Sequence, residues 1–279
     1  MIEKLDHTSF VYSFNLKGDL PYIHRLPDDV QASIERYIVE VIYESFVVPG
    51  DQDYLTARLS AQKGLQRAFY WAAAQCIEKY LKAFLLLDGH SVVDKRKFMG
   101  HPIKALFGEA AKIDGTLSSI DLTPHAGINI EKSACRHLKS FGIDSFIEDV
   151  EIHGSADNRY NSSGVEFNTG HLFALDNFAY ALRGKIGVPL IKYSFKGIQG
   201  DLISIFEDNN PWFCSSVDKC HTKIPSEAFP IRYSSAATTL DFLIKHKGES
   251  PYSHALKWLN NKMKLPNKAN GYQSRKKSR

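Results

Sequence analysis

The segment from Gln66 to Leu87 limits this chain more than any other stretch. Ala73, Ile77, Tyr80, Leu81 and Phe84 recur on one face at helical spacing, and Gly64 and Asp88-Gly89 mark the two ends. A helix this apolar must be sheltered by other elements, so the spacing predicts a helix at the centre of a helical core. Its longest charge-free region, Ala68 to Ile77, falls well short of the roughly 20 residues that span a bilayer.

The flanks supply the shelter. After Asp28-Asp29, residues Val30, Ile34, Ile38, Val41, Ile42 and Phe46 follow a helical period, with Pro49-Gly50 as the expected end. A second helix is predicted from Asp53 to Lys63. His101-Pro102 opens another, with Ile103, Leu106 and Phe107 on its buried side. Further helices are expected over Glu131 to Ile152, interrupted at Gly142, and over Asn168 to Lys185, with Leu172, Leu175, Phe178, Ala179 and Leu182 inward. Asn158 to Gly164 connects these two.

Outside this centre the texture changes. Phe10, Tyr12 and Phe14 alternate, as do Ile191, Tyr193 and Phe195, and a period of two predicts short strands. Gly200 to Phe213 fits neither period. Helices return at about Ala237 to Lys247 and after Ser250-Pro251, where Tyr252, Ala255, Leu256 and Leu259 share a face. The expected fold is mainly α: an N-terminal strand and helix (1–50), a helical domain (51–185), a small α/β extension (188–261) and a basic, disordered tail (262–279).

The net charge of +4 comes from that tail, which holds seven Lys and Arg and no acid, while residues 1–261 carry 28 bases against 31 acids. A basic tail either contacts phosphate or solvates a frayed end, so charge alone names no partner. Met1 to His7 mixes charges at once, unlike an export signal, and the four cysteines, Cys76, Cys135, Cys214 and Cys220, lack paired zinc spacing. The expectation is a cytoplasmic protein with reduced thiols, no metal and no cofactor.

Three landmarks stand in order along the centre. They are Asp53-Tyr54-Leu55-Thr56-Ala57-Arg58-Leu59, then the helix bearing Gln75, Glu78-Lys79 and Lys82-Ala83, then His101-Pro102-Ile103-Lys104-Ala105-Leu106. With the Arg159-Tyr160 pair after the fourth helix, residues 51–185 resemble the HEPN family of helical nucleotide-binding domains. The resemblance implies a five-helix bundle that pairs as a homodimer and binds a nucleotide or RNA. It also implies a bacterial defence or toxin–antitoxin setting, with a nucleotidyltransferase or antitoxin as partner. The contacts it implies are Arg159, Tyr160, Lys79, Lys82, Glu78 and His101.

Each of these residues has a plainer reading as well. Glu78 and Lys82 have the i, i+4 order of a helix-surface ion pair, His101 precedes a helix start, and Arg159 has the means to bond a helix C-terminus. Catalytic members of the family cut RNA without metal, using an Arg a few residues before a His. A His moves the proton of the ribose 2′-hydroxyl or of the leaving oxygen, while an Arg stabilises charge growing on the phosphate. Here Arg96 and His101 have the spacing but precede the third family helix, and Arg136-His137 are adjacent and diverge on a helix. Arg159 and His171 flank the last connection with eleven residues between them, which leaves them as the catalytic candidates of a ribonuclease reading. The third reading is a non-catalytic dimerisation scaffold. No Gly-rich phosphate loop, Gly-x-Ser-x-Gly elbow or His-Glu-x-x-His stretch is present.

Overall fold

The structure is a computed structural model that describes residues 22–92, 102–128, 130, 138–156, 158, 164–187, 202, 204–205, 210, 212, 232–234, 238–249 and 253. The strands expected around Tyr12 and Tyr193, the basic tail, and Cys135, Cys214 and Cys220 lie outside the described residues. The described part is mainly helical, as the periodicity requires. Its principal helices are α1 (Asp28–Ile42), α2 (Val48–Gln62), α3 (Gln66–Leu87), α4 (Ile103–Ile113), α5 (Ile143–His153), α6 (Thr169–Ile186) and α7 (Thr238–Lys245). Two short strands, β1 (Val165–Phe167) and β2 (Arg232–Ser234), pair antiparallel with Glu166 opposite Tyr233.

Helix α3 is the hub and packs against α2, α4, α5 and α6. Phe69, Ala73, Ile77, Tyr80, Leu81 and Phe84 on it are buried, joined by Leu106 from α4, Phe146 from α5, and Leu175 and Phe178 from α6. Gly64 holds a left-handed φ of 70°, which lets α2 turn back directly into α3.

Two boundaries differ from the sequence expectation. Pro49-Gly50 does not end the first helix. A five-residue π turn (Tyr43–Val47) joins α1 to α2, with the Val48 N–H donating to Tyr43 O. The wider turn takes up the missing donor and ring bulk of Pro49, which then sits in the first turn of α2, where proline is tolerated. The helix expected from Glu131 starts at Ile143 in the described part, because residues 138–142 are not helical. That segment is tied to the start of α6, where Asn168 Oδ1 accepts from the Lys139 N–H at 3.2 Å. Residues 131–137 lie outside the described residues.

Helices α2 and α6 carry the same acid and base arrangement, Asp51 with Arg58 and Asp176 with Arg183, and they run antiparallel. Arg58 therefore pairs with Asp176 and Arg183 with Asp51, all four side chains nearly inaccessible. Each pair recruits a buried tyrosine. Tyr54 donates to Asp176 Oδ1 at 2.6 Å, and Tyr80 donates to Asp51 Oδ1. Burial works against the charge on Arg58 and Arg183, but the carboxylate beside each offsets this and holds both above the ordinary arginine range. Slipping α2 along α6 by one turn would strand all four charges, so the two pairs fix the register.

Residues of the C-terminal part close over this ladder. Arg58 Nε donates to Ile205 O at 2.7 Å, Asn210 Nδ2 to Tyr54 Oη at 2.8 Å, and Trp212 Nε1 to Asn177 Oδ1 at 2.6 Å. No helix among the described residues is long and apolar enough to cross a membrane.

Candidate functional site

The sequence-derived residues fall into three groups. His101, Arg159 and Tyr160 lie outside the described residues, as do Arg96, Arg136 and His137. Glu78, Lys79 and Lys82 lie on α3, where Lys79 pairs with Asp53 of α2 and Lys82 Nζ sits 2.6 Å from Glu78 Oε1. The Glu78 carboxylate is buried and Lys82 is largely covered, so this pair is more enclosed than a surface i, i+4 contact. Cys76 is a free, buried thiol.

His171 is the most constrained of them. Asn168 is the N-cap of α6, its side chain accepting from the Gly170 N–H at 2.8 Å, and His171 completes a capping box by accepting the Asn168 N–H at Nδ1, 3.1 Å away. The same Nδ1 lies 3.0 Å from the Asn168 carbonyl oxygen, and Nε2 faces Asp149 Oδ2 at 3.6 Å. That contact is the leading cause holding Asp149 below the ordinary carboxylate range. The ring is 2% exposed and enclosed by Phe141, Phe167 and Tyr70.

Next to this ring, α5 ends against the N-terminal half of α3. A cleft of about 240 Å³ opens there, lined by Arg67, Ala68, Trp71, His153, Ser155 and Asn158. Arg67 and Trp71 are one turn apart on α3, and the small Ala68 beside them leaves the depth. Trp71 is 36% exposed, enough to present ring area to a ligand. Arg67 Nη1 donates to Asn158 Oδ1 at 3.1 Å, and Asn158 Nδ2 donates to His153 O at 3.1 Å. The chain that returns after α5 is thus bound to both walls.

Gly154 permits this geometry. A Cβ at that position would lie 2.6 Å from Ala74 Cβ and 2.7 Å from Val150 O, and would also meet Tyr70 O. Only a residue without a side chain lets the end of α5 come this close to α3, which brings the His153 ring to 4.9 Å from that of Tyr70. Tyr70 in turn donates to Glu166 O at 2.6 Å and fixes β1 behind the site.

His153 is the unusual group. Its Nδ1 is buried and has no hydrogen-bond partner. A buried polar atom left without a partner costs stability, so this nitrogen is an exception among the buried groups around it. Burial is the leading cause holding His153 below the ordinary histidine range; Asp149 and Glu166 oppose it, while His171 and Arg67 reinforce it. Partial burial also draws Arg67 below its usual value, which still leaves it charged at neutral pH.

The cleft therefore offers a cation, an imidazole, a hydroxyl and an exposed indole, with no carboxylate among the described residues that line it. Such a set suits an anion attached to a flat ring. Of the sequence-derived candidates, Arg159 follows Asn158 but lies outside the described residues, and His171 is not among the residues that line the cleft. Arg67, Trp71 and Ser155 were missed in the sequence. The available signal was Arg67 and Trp71 at i, i+4 on the only stretch of α3 that did not need them for its apolar stripe. Among the described residues no group of three or more His, Cys, Asp and Glu side chains is placed to hold a metal ion.

Compared with protein-family models, with curated proteins and with solved structures, the chain shows no match.

Proposed function

We propose that this chain is a HEPN-like helical module that binds a nucleotide or RNA in the cleft between α3 and the end of α5. The observation that carries the reading is that the described residues lining that cleft include Arg67, His153 and the exposed Trp71 and no acid. Guanidinium and imidazole suit phosphate, and an indole face accepts any base. Arg159 and Tyr160 follow directly on Asn158 and belong to the same reading as further contacts. Lys79 and Lys82 lie about 18 and 22 Å from Arg67 along the same helix, by its rise per residue, and would serve an extended ligand. Pairing with a second copy and a role beside a nucleotidyltransferase or antitoxin in bacterial defence belong to the same proposal.

The test is equilibrium binding of a short labelled RNA and of adenosine 5′-monophosphate to the full chain. Base stacking is worth about 1–3 kcal/mol per base, so Trp71→Ala should weaken binding roughly tenfold. Arg67→Ala should weaken it as much and lower the dependence on salt. Parent-like affinity in both variants would remove the cleft from the function. The same RNA incubated in excess EDTA reads the nuclease alternative, which requires metal-free cleavage that disappears in Arg159→Ala and His171→Ala.

A further inference from the structure

The binding reading leaves open which part of a nucleic acid the cleft takes. Its volume of about 240 Å³ lies below the roughly 300–1,000 Å³ of pockets that enclose drug-sized ligands, room for one nucleotide at most. A strand running through would need two open ends and a track of cations. Among the described residues the lining holds one cation, Arg67.

Three polar side chains line this space. Arg67 is held in place through Asn158, Ser155 contributes a hydroxyl, and His153 contributes its imidazole. A phosphate within a chain has two non-bridging oxygens and one negative charge. A terminal phosphate monoester has three equivalent oxygens and a charge of about −1.5 to −2 at neutral pH. Three such side chains and, among the described residues, no carboxylate match the second group.

Resting on the nucleotide-binding reading above, we infer that the cleft is specific for a terminal phosphate monoester, its three oxygens shared by Arg67, His153 and Ser155 and the attached base lying on Trp71. A free mononucleotide and the phosphorylated end of an RNA present the same chemistry. The interior of an RNA does not. His153 is the selecting group, because its neutral ring supplies a donor without the long-range attraction that a permanent cation extends to every phosphate.

Calorimetric titration of the full chain with four probes tests the inference: adenosine 5′-monophosphate, adenosine, the dinucleotide ApA without a terminal phosphate, and 5′-phosphorylated pApA. The expected result is at least tenfold tighter binding of the monophosphate than of ApA or adenosine. If pApA binds as tightly, the site takes RNA ends; if pApA is excluded, it takes free nucleotides, and both outcomes support the monoester. His153→Asn should bring the monophosphate to the level of ApA while adenosine is unaffected. Ser155→Ala, which leaves the helix-end packing intact, should give a smaller loss in the same direction. Equal affinity for ApA and the monophosphate, or a preference that survives both substitutions, overturns the inference and leaves the binding reading standing. Failure of all four probes to bind overturns both.

Discussion

Asp176→Ala isolates what the charge ladder between α2 and α6 contributes. Asp176 and Arg58 are 3% and 0% exposed, so removing the carboxylate leaves a guanidinium in the core with the Ile205 carbonyl as a remaining acceptor. Breaking a buried pair in this way costs about 3–5 kcal/mol, a large part of the roughly 5–15 kcal/mol that holds a typical protein folded. For a chain of this size that corresponds to a drop in Tm of roughly 10 °C. Two further variants separate the cost of a stranded charge from the worth of the pair. Arg58→Met with Asp176→Leu removes both charges and should come within about 1 kcal/mol of the parent, since apolar replacements of buried pairs are often neutral. Arg58→Asp with Asp176→Arg reverses one rung and should recover much of what either reversal alone loses. The assay is thermal and urea unfolding followed by circular dichroism, combined as a double-mutant cycle. A loss below about 1 kcal/mol in Asp176→Ala would show that Arg58 is satisfied without its partner, and the register argument would fail with it.

Two other predictions follow from the packing around the cleft. Gly154→Ala places a methyl group against Ala74 and the Val150 and Tyr70 carbonyls, and should destabilise by about 1–3 kcal/mol in urea unfolding while weakening ligand binding; unchanged stability would mean that α5 shifts freely on α3. Stability should also fall with pH on the acid side of the ordinary histidine value of about 6.5, because the unfolded chain takes up a proton there that buried His153 resists. The groups facing that ring are Asp149, Glu166, His171 and Arg67, and His153→Asn should flatten the slope between pH 6.5 and the lower value of the folded state. A slope unchanged in that variant would assign it to another group.

The fold was legible where apolar periodicity alone decided the outcome. α3, α6 and the turn at Gly64 lie where spacing and glycine placed them, because a stripe such as Leu172, Leu175, Phe178, Ala179 and Leu182 has one way to be buried. Pro49 misled because its effect depends on the turn before it, and a π turn is set by packing, which sequence period does not report. The break expected at Gly142 is where α5 starts, but the non-helical course of residues 138–142 was not legible, because they are drawn to the cap of α6 by Asn168, a contact between positions far apart in sequence. The ladder did leave a trace, since Asp51 to Arg58 and Asp176 to Arg183 share one spacing. Reading it requires the antiparallel neighbourhood of α2 and α6, and each half alone looks like an ordinary solvated helix.

The site was harder to see for a related reason. Its residues come from one helix face and from the few positions after another helix, so neither segment carries a recognisable pattern. His171 drew attention because histidine is chemically versatile, yet its Nδ1 is spent on the Asn168 backbone and its Nε2 faces Asp149. What that arrangement does is hold the start of α6 and the side of α5 together beneath Tyr70. His153 is four residues beyond Asp149 on the same helix and differs in one respect: its Nδ1 meets no partner. An imidazole that lines an open cleft, with one buried nitrogen left unpartnered, directs the search for a ligand to His153 rather than to His171.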